Sequence, residues 1–392
     1  GCGVEVWLWG SAGAVTLLWP SVLAHTYQIS LLPVGFLVMA LRSLRNLLDR
    51  GRWVDAVSLG VWLGLIGMLR FQTLILGAFL WGSYALARLV RMDWRTVWQR
   101  VRGGAVSAGL GAALSLPFTL PYLLYHFRTR APGDLTHSIR GGHISDLVCY
   151  FLPRRGHLLL SGVTEGAIRA YGLEISLNPS ALGWVALGLV AAAVVFNARR
   201  VPRWGGIAGL LLFLALGPRP NVLGHEVVIP AYAHLYERYL LPIVREPDRF
   251  DLLLAVPVSV IAGWGMQGML RKTSDVRGRR LVVPVAVGLI ALDSIALPHH
   301  HLSVAVPAWY VSRANDPDDY GVLEVPMDRN RSERAMLYQL THRKALVHGH
   351  VSRVPEDVYA FIETVPLLRH LHDADRDAPP PGDFNLAASL DL

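Results

Sequence analysis

The chain has little charge, little cysteine and almost no lysine. Of its 392 residues only 17% are charged against 53% hydrophobic. That balance excludes a disordered, self-repelling polymer and leaves a water-soluble globule short of polar surface. Two cysteines, Cys2 and Cys149, are too few for a disulfide scaffold, and neither has a CxxC or zinc-site neighbour. No Gly-rich phosphate loop, HExxH or GxSxG is present, so P-loop, zincin and serine-hydrolase chemistry have no support. Lysine occurs only at positions 272 and 344 among 37 basic residues, a compositional trait without functional content.

What the chain does have is long apolar runs. A helix that crosses about 30 Å of hydrocarbon needs about 20 apolar residues. On that ruler spanning helices are expected near 6–24, 29–41, 54–69, 74–87, 104–124, 181–198, 204–217, 250–270 and 281–297. The second pair in this series that is joined tightly, 54–69 and 74–87, is short, and Arg70-Phe71-Gln72-Thr73 between them reads as an outer turn or a re-entrant tip.

The net charge of +8 would suggest a nucleic-acid partner if it were spread over one folded face. It is not. Four short segments, Arg42 to Arg52, Arg88 to Arg102, Arg199 to Arg203 and Arg271 to Arg280, hold 17 basic residues against the acids Asp49, Asp93 and Asp275. Short basic loops between apolar runs mark the cytoplasmic side of a membrane protein. The charge therefore describes orientation, and nucleic acid is not an expected partner. Odd parity puts Gly1 in the cytoplasm and everything after Pro298 outside, with Cys2 and Cys149 on opposite sides.

The resulting expectation is an all-α polytopic membrane bundle of about nine transmembrane helices over 1–297, with outer loops 127–180 and 218–249, in the plasma (inner) membrane. Residues 298–392 are expected to form a small extracytoplasmic α/β region. There, Tyr320 to Pro326 and Ala345 to Val351 read as strands and Ser332 to His342 as a helix, while the acidic, Pro-rich end from Asp373 to Asp383 reads as loose. The first apolar run lacks a basic n-region and a small-residue cleavage site, so it is not read as a signal peptide. It looks like an interior start, the expectation being a fragment that lacks earlier helices.

Function is sought on the outer side. In Leu241-Pro-Ile-Val-Arg-Glu-Pro-Asp-Arg-Phe250, the charged Arg245, Glu246, Asp248 and Arg249 stand at the mouth of an apolar helix. Arginine stays ionised and donates bidentately, and a helix N-terminus adds positive dipole, so the pair Arg245 and Arg249 suits a lipid-linked phosphate. The structural alternative is that they pair with Glu246, Asp248 or Asp251 and fasten the loop. Arg70 is a further candidate because an ionisable group at membrane depth is functional by default, against simple snorkelling to the headgroups. In the first outer loop Asp134, His137, Arg140, His143, Asp146, Glu165 and Glu174 supply acids and bases without a selecting spacing; His143 and Asp146 are carried as candidate substrate-binding residues. The triplet His299-His300-His301 and the pair His348 and His350 invite a metal reading, but no acid or cysteine is spaced with them. No cofactor is implied, and a divalent metal has no supporting pattern.

Several motifs carry a resemblance. Ala24 to Pro33 entering a helix with Arg42 and Arg45, the Pro242 to Phe250 motif, Val322-Leu-Glu-Val-Pro326, Tyr338-Gln339, His342 and Gly349 to Arg353 together resemble bacterial polytopic membrane proteins of the GT-C glycosyltransferase-like superfamily. The resemblance implies a helical bundle that takes a sugar from a polyprenyl-phosphate-linked donor and transfers it to an acceptor at the outer membrane face. Its partners would be membrane lipid and that donor. The chain departs from the pattern where such enzymes keep an acid in their first outer loop: His25 to Gln28 holds no carboxylate, so no catalytic base is carried over. The alternative is a non-catalytic transporter, flippase or envelope-assembly scaffold that handles lipid-linked glycans. Most expected helices have no ionisable residue mid-span, which disfavours a transport pathway.

Overall fold

The computed structural model describes residues 34–128, 146–173, 180–244, 247–273, 275–295, 305–325, 329–349, 360–362 and 364–373. The chain divides into two units, Gly1–His299 and His300–Leu392. Helices dominate both. The expected helix near 6–24 and the candidates Arg245, Glu246 and His143 lie outside the described residues, as do Asp134, His137, Arg140, Glu174, the His299 triplet and His350.

The first unit begins with four helices: α1 (Val34–Arg50), α2 (Trp53–Leu69), α3 (Phe71–Leu89) and α4 (Trp94–Arg128). After a 3₁₀ turn at Leu147–Tyr150 come α5 (Ser161–Tyr171), α6 (Trp184–Asn197) and α7 (Val201–Ala215). A two-residue antiparallel hairpin, β1 (Asn221–Val222) and β2 (His225–Glu226), leads to α8 (Pro230–Leu235). A wider π turn, Tyr236–Leu240, then passes to a last helical turn, Leu241–Val244. A 3₁₀ turn at Pro247–Arg249 opens α9 (Phe250–Lys272), which is followed by α10 (Val276–Ser294).

Among the described residues two helices are long and apolar enough to cross a bilayer, Trp94–Pro121 within α4 and Pro247–Lys272 around α9. The shorter apolar helices Trp53–Leu69, Trp184–Asn197, Val201–Ala215 and Leu281–Ser294 run for 17 residues or fewer, at most about 26 Å at a rise of about 1.5 Å per residue. The nine spans expected from sequence are thus not matched one for one by helices of spanning length among the described residues. Boundaries also move. The helix expected at 29–41 occupies 34–50 and carries Arg42, Arg45 and Arg50 within it, and α4 takes in Arg95, Arg100 and Arg102. Long arginines can extend a helix past its apolar stretch because their stems pack while their heads stay solvated.

Packing places α9 at the centre, with most of its residues buried, against α6 and α7 on its flanks. Its contact with α6 is closer than ordinary side chains allow. A Cβ on Gly265 would lie 1.9 Å from the Leu189 carbonyl oxygen, and one on Gly268 2.4 Å from Phe196 Cβ. The α2/α4 contact is built the same way, with Gly60, Gly64 and Gly67 meeting Leu110, Leu114 and Ser115. On α4 every fourth residue, Ser107, Gly111, Ser115 and Thr119, is buried, whereas Val106, Leu116, Phe118 and Leu124 are exposed. Small residues inside and large apolar ones outside invert the pattern of a water-soluble helix.

The four basic segments meet at one pole of this unit. Arg88 on α3 pairs with Asp49 on α1, Arg100 Nε donates to the Leu48 carbonyl at 3.1 Å, and the Tyr84 and Trp204 rings, 5.3 Å apart, join the ends of α3 and α7. Arg200 Nη1 reaches Gln267 Oε1 near the end of α9 at 3.3 Å. Exposed Trp53, Trp94 and Trp98 stand at helix starts on the same pole. Asp93 and Asp275 accept the Thr96 and Gly278 amides and so cap the starts of α4 and α10 there.

The second unit contains α11 (Ala308–Ser312), β3 (Gly321–Val322), α12 (Arg329–His342), β4 (Ala345–Leu346) and α13 (Pro366–Asp373). Strands β3 and β4 pair in parallel with α12 as their crossover, within the segments whose alternation predicts strands, though only two residues of each pair. Ile362 and Leu368 form its small core with Leu323 and Val347 packed against them. The Asp316 carboxylate accepts from Arg313, the Tyr320 hydroxyl and the Asp318 amide, at 2.9–3.1 Å.

Candidate functional site

The pole opposite the basic turns carries the chain's candidate chemistry. Arg70 occupies the one-residue link between α2 and α3, in extended conformation, with its amide still bonded to the Ile66 carbonyl. Arg249 closes the 3₁₀ turn that starts α9. Far apart in sequence, these two arginines converge on one acceptor. Arg70 Nη2 donates to Gln72 Oε1 at 3.1 Å, and Arg249 Nη1 donates to the same oxygen. The other end of this amide, Gln72 Nε2, donates to the Val244 carbonyl. Both guanidiniums and Gln72 are half-buried.

Arg70, Gln72 and Arg249 line a small cleft with room for about one water molecule, together with Leu37, Thr73, Leu76, Leu252 and Leu253. Its lining sets two arginines beside four leucines. Nitrogens that share one acceptor lie within about 6 Å of each other, twice a hydrogen-bond length. Two like charges at that distance repel by roughly 3 kcal/mol at an effective dielectric of about 20.

The start of α9 is held by close contacts. Gly217, after the end of α7, has φ +74°, and a Cβ there would lie 3.1 Å from Pro247; glycine is the residue that adopts this left-handed turn without strain. Asp251, two residues beyond Arg249, is 1% exposed. Its oxygens accept from the Tyr150 hydroxyl at 2.6 Å and the Ser180 hydroxyl at 2.7 Å. Burial first, and the neighbouring Asp251 charge second, raise the Tyr150 phenol well above its ordinary range.

Asp146, a sequence candidate, enters a different set of bonds. Its oxygens accept the amides of Val148, Leu223 and Gly224 at 2.7–3.0 Å, which fastens the 3₁₀ turn to the β1–β2 hairpin. Asp248 is half-buried beside Arg249. The structure thus brings Arg70 and Arg249 together and gives Asp146 a loop-fixing task. A further tie at this pole was invisible in the sequence. His157 Nδ1 accepts the Leu159 and Leu160 amides, so its proton belongs on Nε2, which faces Asp293 Oδ1 at 3.3 Å. Asp293 Oδ2 in turn accepts the Val185 amide in the first turn of α6. Buried Arg154 donates to the Ser294 carbonyl at 3.2 Å, a cation at the negative end of α10; burial lowers its pKa.

In the second unit, the motif residues Gln339 and His342 bond within the unit: Gln339 Nε2 to the Lys344 carbonyl, and His342 Nδ1 from the Lys344 amide. Tyr338 packs on Tyr310 with ring centroids 4.7 Å apart. Among the described residues no group of three His, Cys, Asp or Glu side chains is arranged to hold a metal ion. No protein-family model matches the chain, and no curated protein matches it.

Proposed function

We propose that the protein is an integral membrane, GT-C-like glycosyltransferase that takes a sugar from a polyprenyl-phosphate-linked donor and transfers it to an acceptor at the outer membrane face. The observation that supports this reading is the meeting of Arg70 and Arg249 on Gln72 Oε1 beside Leu37, Leu76, Leu252 and Leu253. A phosphate on a lipid chain needs both surfaces: guanidiniums for the head and apolar contact for the first carbons of the tail.

The membrane part of the reading is a plasma-membrane protein with nine crossings, its N-terminus cytoplasmic and residues 298–392 outside. The inverted burial of α4, the gathering of the basic turns at one pole and the exposed tryptophans beside them all support it, because positive loops mark the cytoplasmic side and tryptophans gather at membrane interfaces. Helices of 14–17 residues cross by local thinning of the bilayer or with flanking residues at the interfaces.

In the reaction, a carboxylate takes the proton of an acceptor hydroxyl as its oxygen displaces the lipid phosphate at the anomeric carbon, and Arg249, Arg245 and Arg70 stabilise the departing phosphate. Arg249→Ala and Arg245→Ala variants that fold should lose transfer activity by about a hundredfold or more, the scale of losing one charged contact to a transition state; folded variants with full transfer activity would remove the proposal. One observation favours the second reading, a non-catalytic protein that handles lipid-linked glycans. Asp146, Asp251 and Asp293 are engaged in fixing loops and helix ends, so none of them serves as the base. A purified protein that binds the lipid phosphate but transfers no sugar to any acceptor would decide for this alternative.

A further inference from the structure

The arginines of the basic pole do not share one task. On α4 the buried Ser107, Gly111 and Ser115 mark the face that packs on α2. At about 3.6 residues per turn, Arg100 falls on that face. There its Nε donates to the Leu48 carbonyl, and its guanidinium fills the space that a side chain at Gly51 (φ +69°) would take. Arg95, Trp98, Arg102 and Val106 fall on the opposite face, and all four are exposed. Trp94, itself exposed, stacks beside Trp98 with ring centroids 6.5 Å apart, and the Arg102 guanidinium lies 5.3 Å over the Trp98 ring. The acids of the basic segments are engaged elsewhere: Asp49 pairs with Arg45 and Arg88, while Asp93 and Asp275 cap helix starts. Among the described residues neither Arg95 nor Arg102 is paired with a carboxylate.

We infer that this outward face of α4 is a docking surface for an anionic phospholipid of the cytoplasmic leaflet, its phosphate held by Arg95 and Arg102 beside the Trp98 ring. The inference rests on the reading that the basic pole lies at the cytoplasmic membrane surface. Guanidiniums donate bidentately to phosphate, and the ring under Arg102 holds that side chain ready, so less freedom is lost on binding. Tryptophans settle at headgroup level, which puts Trp94 and Trp98 where a phospholipid presents its phosphate. Two cations without acidic partners select a headgroup of net negative charge over a zwitterionic one, whose phosphate is balanced by its own cation. Beyond Arg102 the same face turns apolar: Val106 and Leu116 are exposed, and Gly109 between them has open space where a side chain would stand. An acyl chain gains from that continuation. A soluble polyanion such as nucleic acid would not.

The test titrates the detergent-purified full chain with dioleoylphosphatidylglycerol and with dioleoylphosphatidylcholine, bound lipid being counted by native mass spectrometry. Wild type should bind the anionic lipid about tenfold more tightly than the zwitterionic one, the scale expected for two arginines at an anionic surface. Replacing Arg95 and Arg102 together by Gln should bring that preference to within about twofold at unchanged Tm, since both side chains are exposed. Replacing both by Lys keeps the charge but loses the fork and the stacking, and should leave a preference of about threefold. Arg199→Gln removes an exposed charge elsewhere at the same pole and should leave the preference as it is. A preference that survives the double Gln variant, or that falls as far in Arg199→Gln, would overturn the inference while leaving the membrane reading standing. So would displacement of the lipid by glycerol phosphate or by a short DNA duplex at equal concentration, which would assign the face to a soluble anion. A chain that stays monodisperse without detergent would overturn the membrane reading, and the lipid site with it.

Discussion

Asp251 brings a carboxyl group into the first turn of a buried, apolar helix, and its two oxygens meet the hydroxyls of Tyr150 and Ser180. A buried carboxyl without such donors would leave its oxygens unsatisfied at a cost of about 1–3 kcal/mol or more, so these hydroxyls are the condition for having it there. Tyr150→Phe removes one of them and should destabilise the first unit by roughly 1–3 kcal/mol, read as a lower thermal midpoint in detergent. Its neighbour Cys149 is buried, and burial pushes the thiol up to about 12. A Cys2→Ser variant leaves Cys149 as the only thiol, which should resist alkylation at pH 8 while the protein is folded and react once it is denatured. In the second unit the Asp318 amide, and then Arg313, hold Asp316 below its ordinary value of 3.8. A carboxyl depressed in the folded state contributes stability above that ordinary value, and the contribution is lost as pH falls through the folded pKa. Unfolding followed from pH 6 to 2 should therefore show a loss of stability below about 3.8 that becomes shallower in Asp316→Asn.

Among the helices, contact is set by glycines and small polar residues where a soluble bundle would use leucines. Gly265→Val puts a branched side chain where even a Cβ would meet the Leu189 carbonyl at 1.9 Å. Separating α6 from α9 should lower stability by more than about 3 kcal/mol, beyond the usual overpacking cost, or abolish folding, measured as loss of monodisperse protein on extraction. The long apolar helices among the described residues and their order were readable in the sequence, because hydropathy reports burial and the basic turns punctuate it, whereas the short α5 and α8 were not expected. The ends were less so, since arginine stems let α1 and α4 run past their apolar stretches. Arg70 and Arg249 were readable as charges in unusual places. That they share one acceptor was not, because the residues lie on helices distant in sequence and a lone Gln72 carries no periodic signal. Asp146 had the chemistry of a ligand, but its partners are backbone amides, and backbone donors leave no mark in a sequence.

At the scale of the molecule, two opposite poles organise the first unit. One gathers arginines from four turns with the tryptophans beside them; the other gathers the arginine cleft, the Asp251 cluster and the His157–Asp293 tie. The proposed function depends on a bilayer separating these poles, so that a lipid-borne phosphate meets Arg70 and Arg249 at the outer face. Deleting 300–392 tests the second unit alone: if it serves only as an appended module, the truncated bundle keeps dodecyl phosphate binding within about twofold. The most direct measurement is single-cysteine labelling of the full chain in intact cells, in a background free of native cysteines, with a membrane-impermeant maleimide. Cysteines placed at Phe71 and at Leu223 should label in intact cells, while those placed at Arg52, Met92 and Arg199 should label only after the membrane is opened. Equal labelling of both sets in intact cells, or in soluble protein released without detergent, would contradict the account.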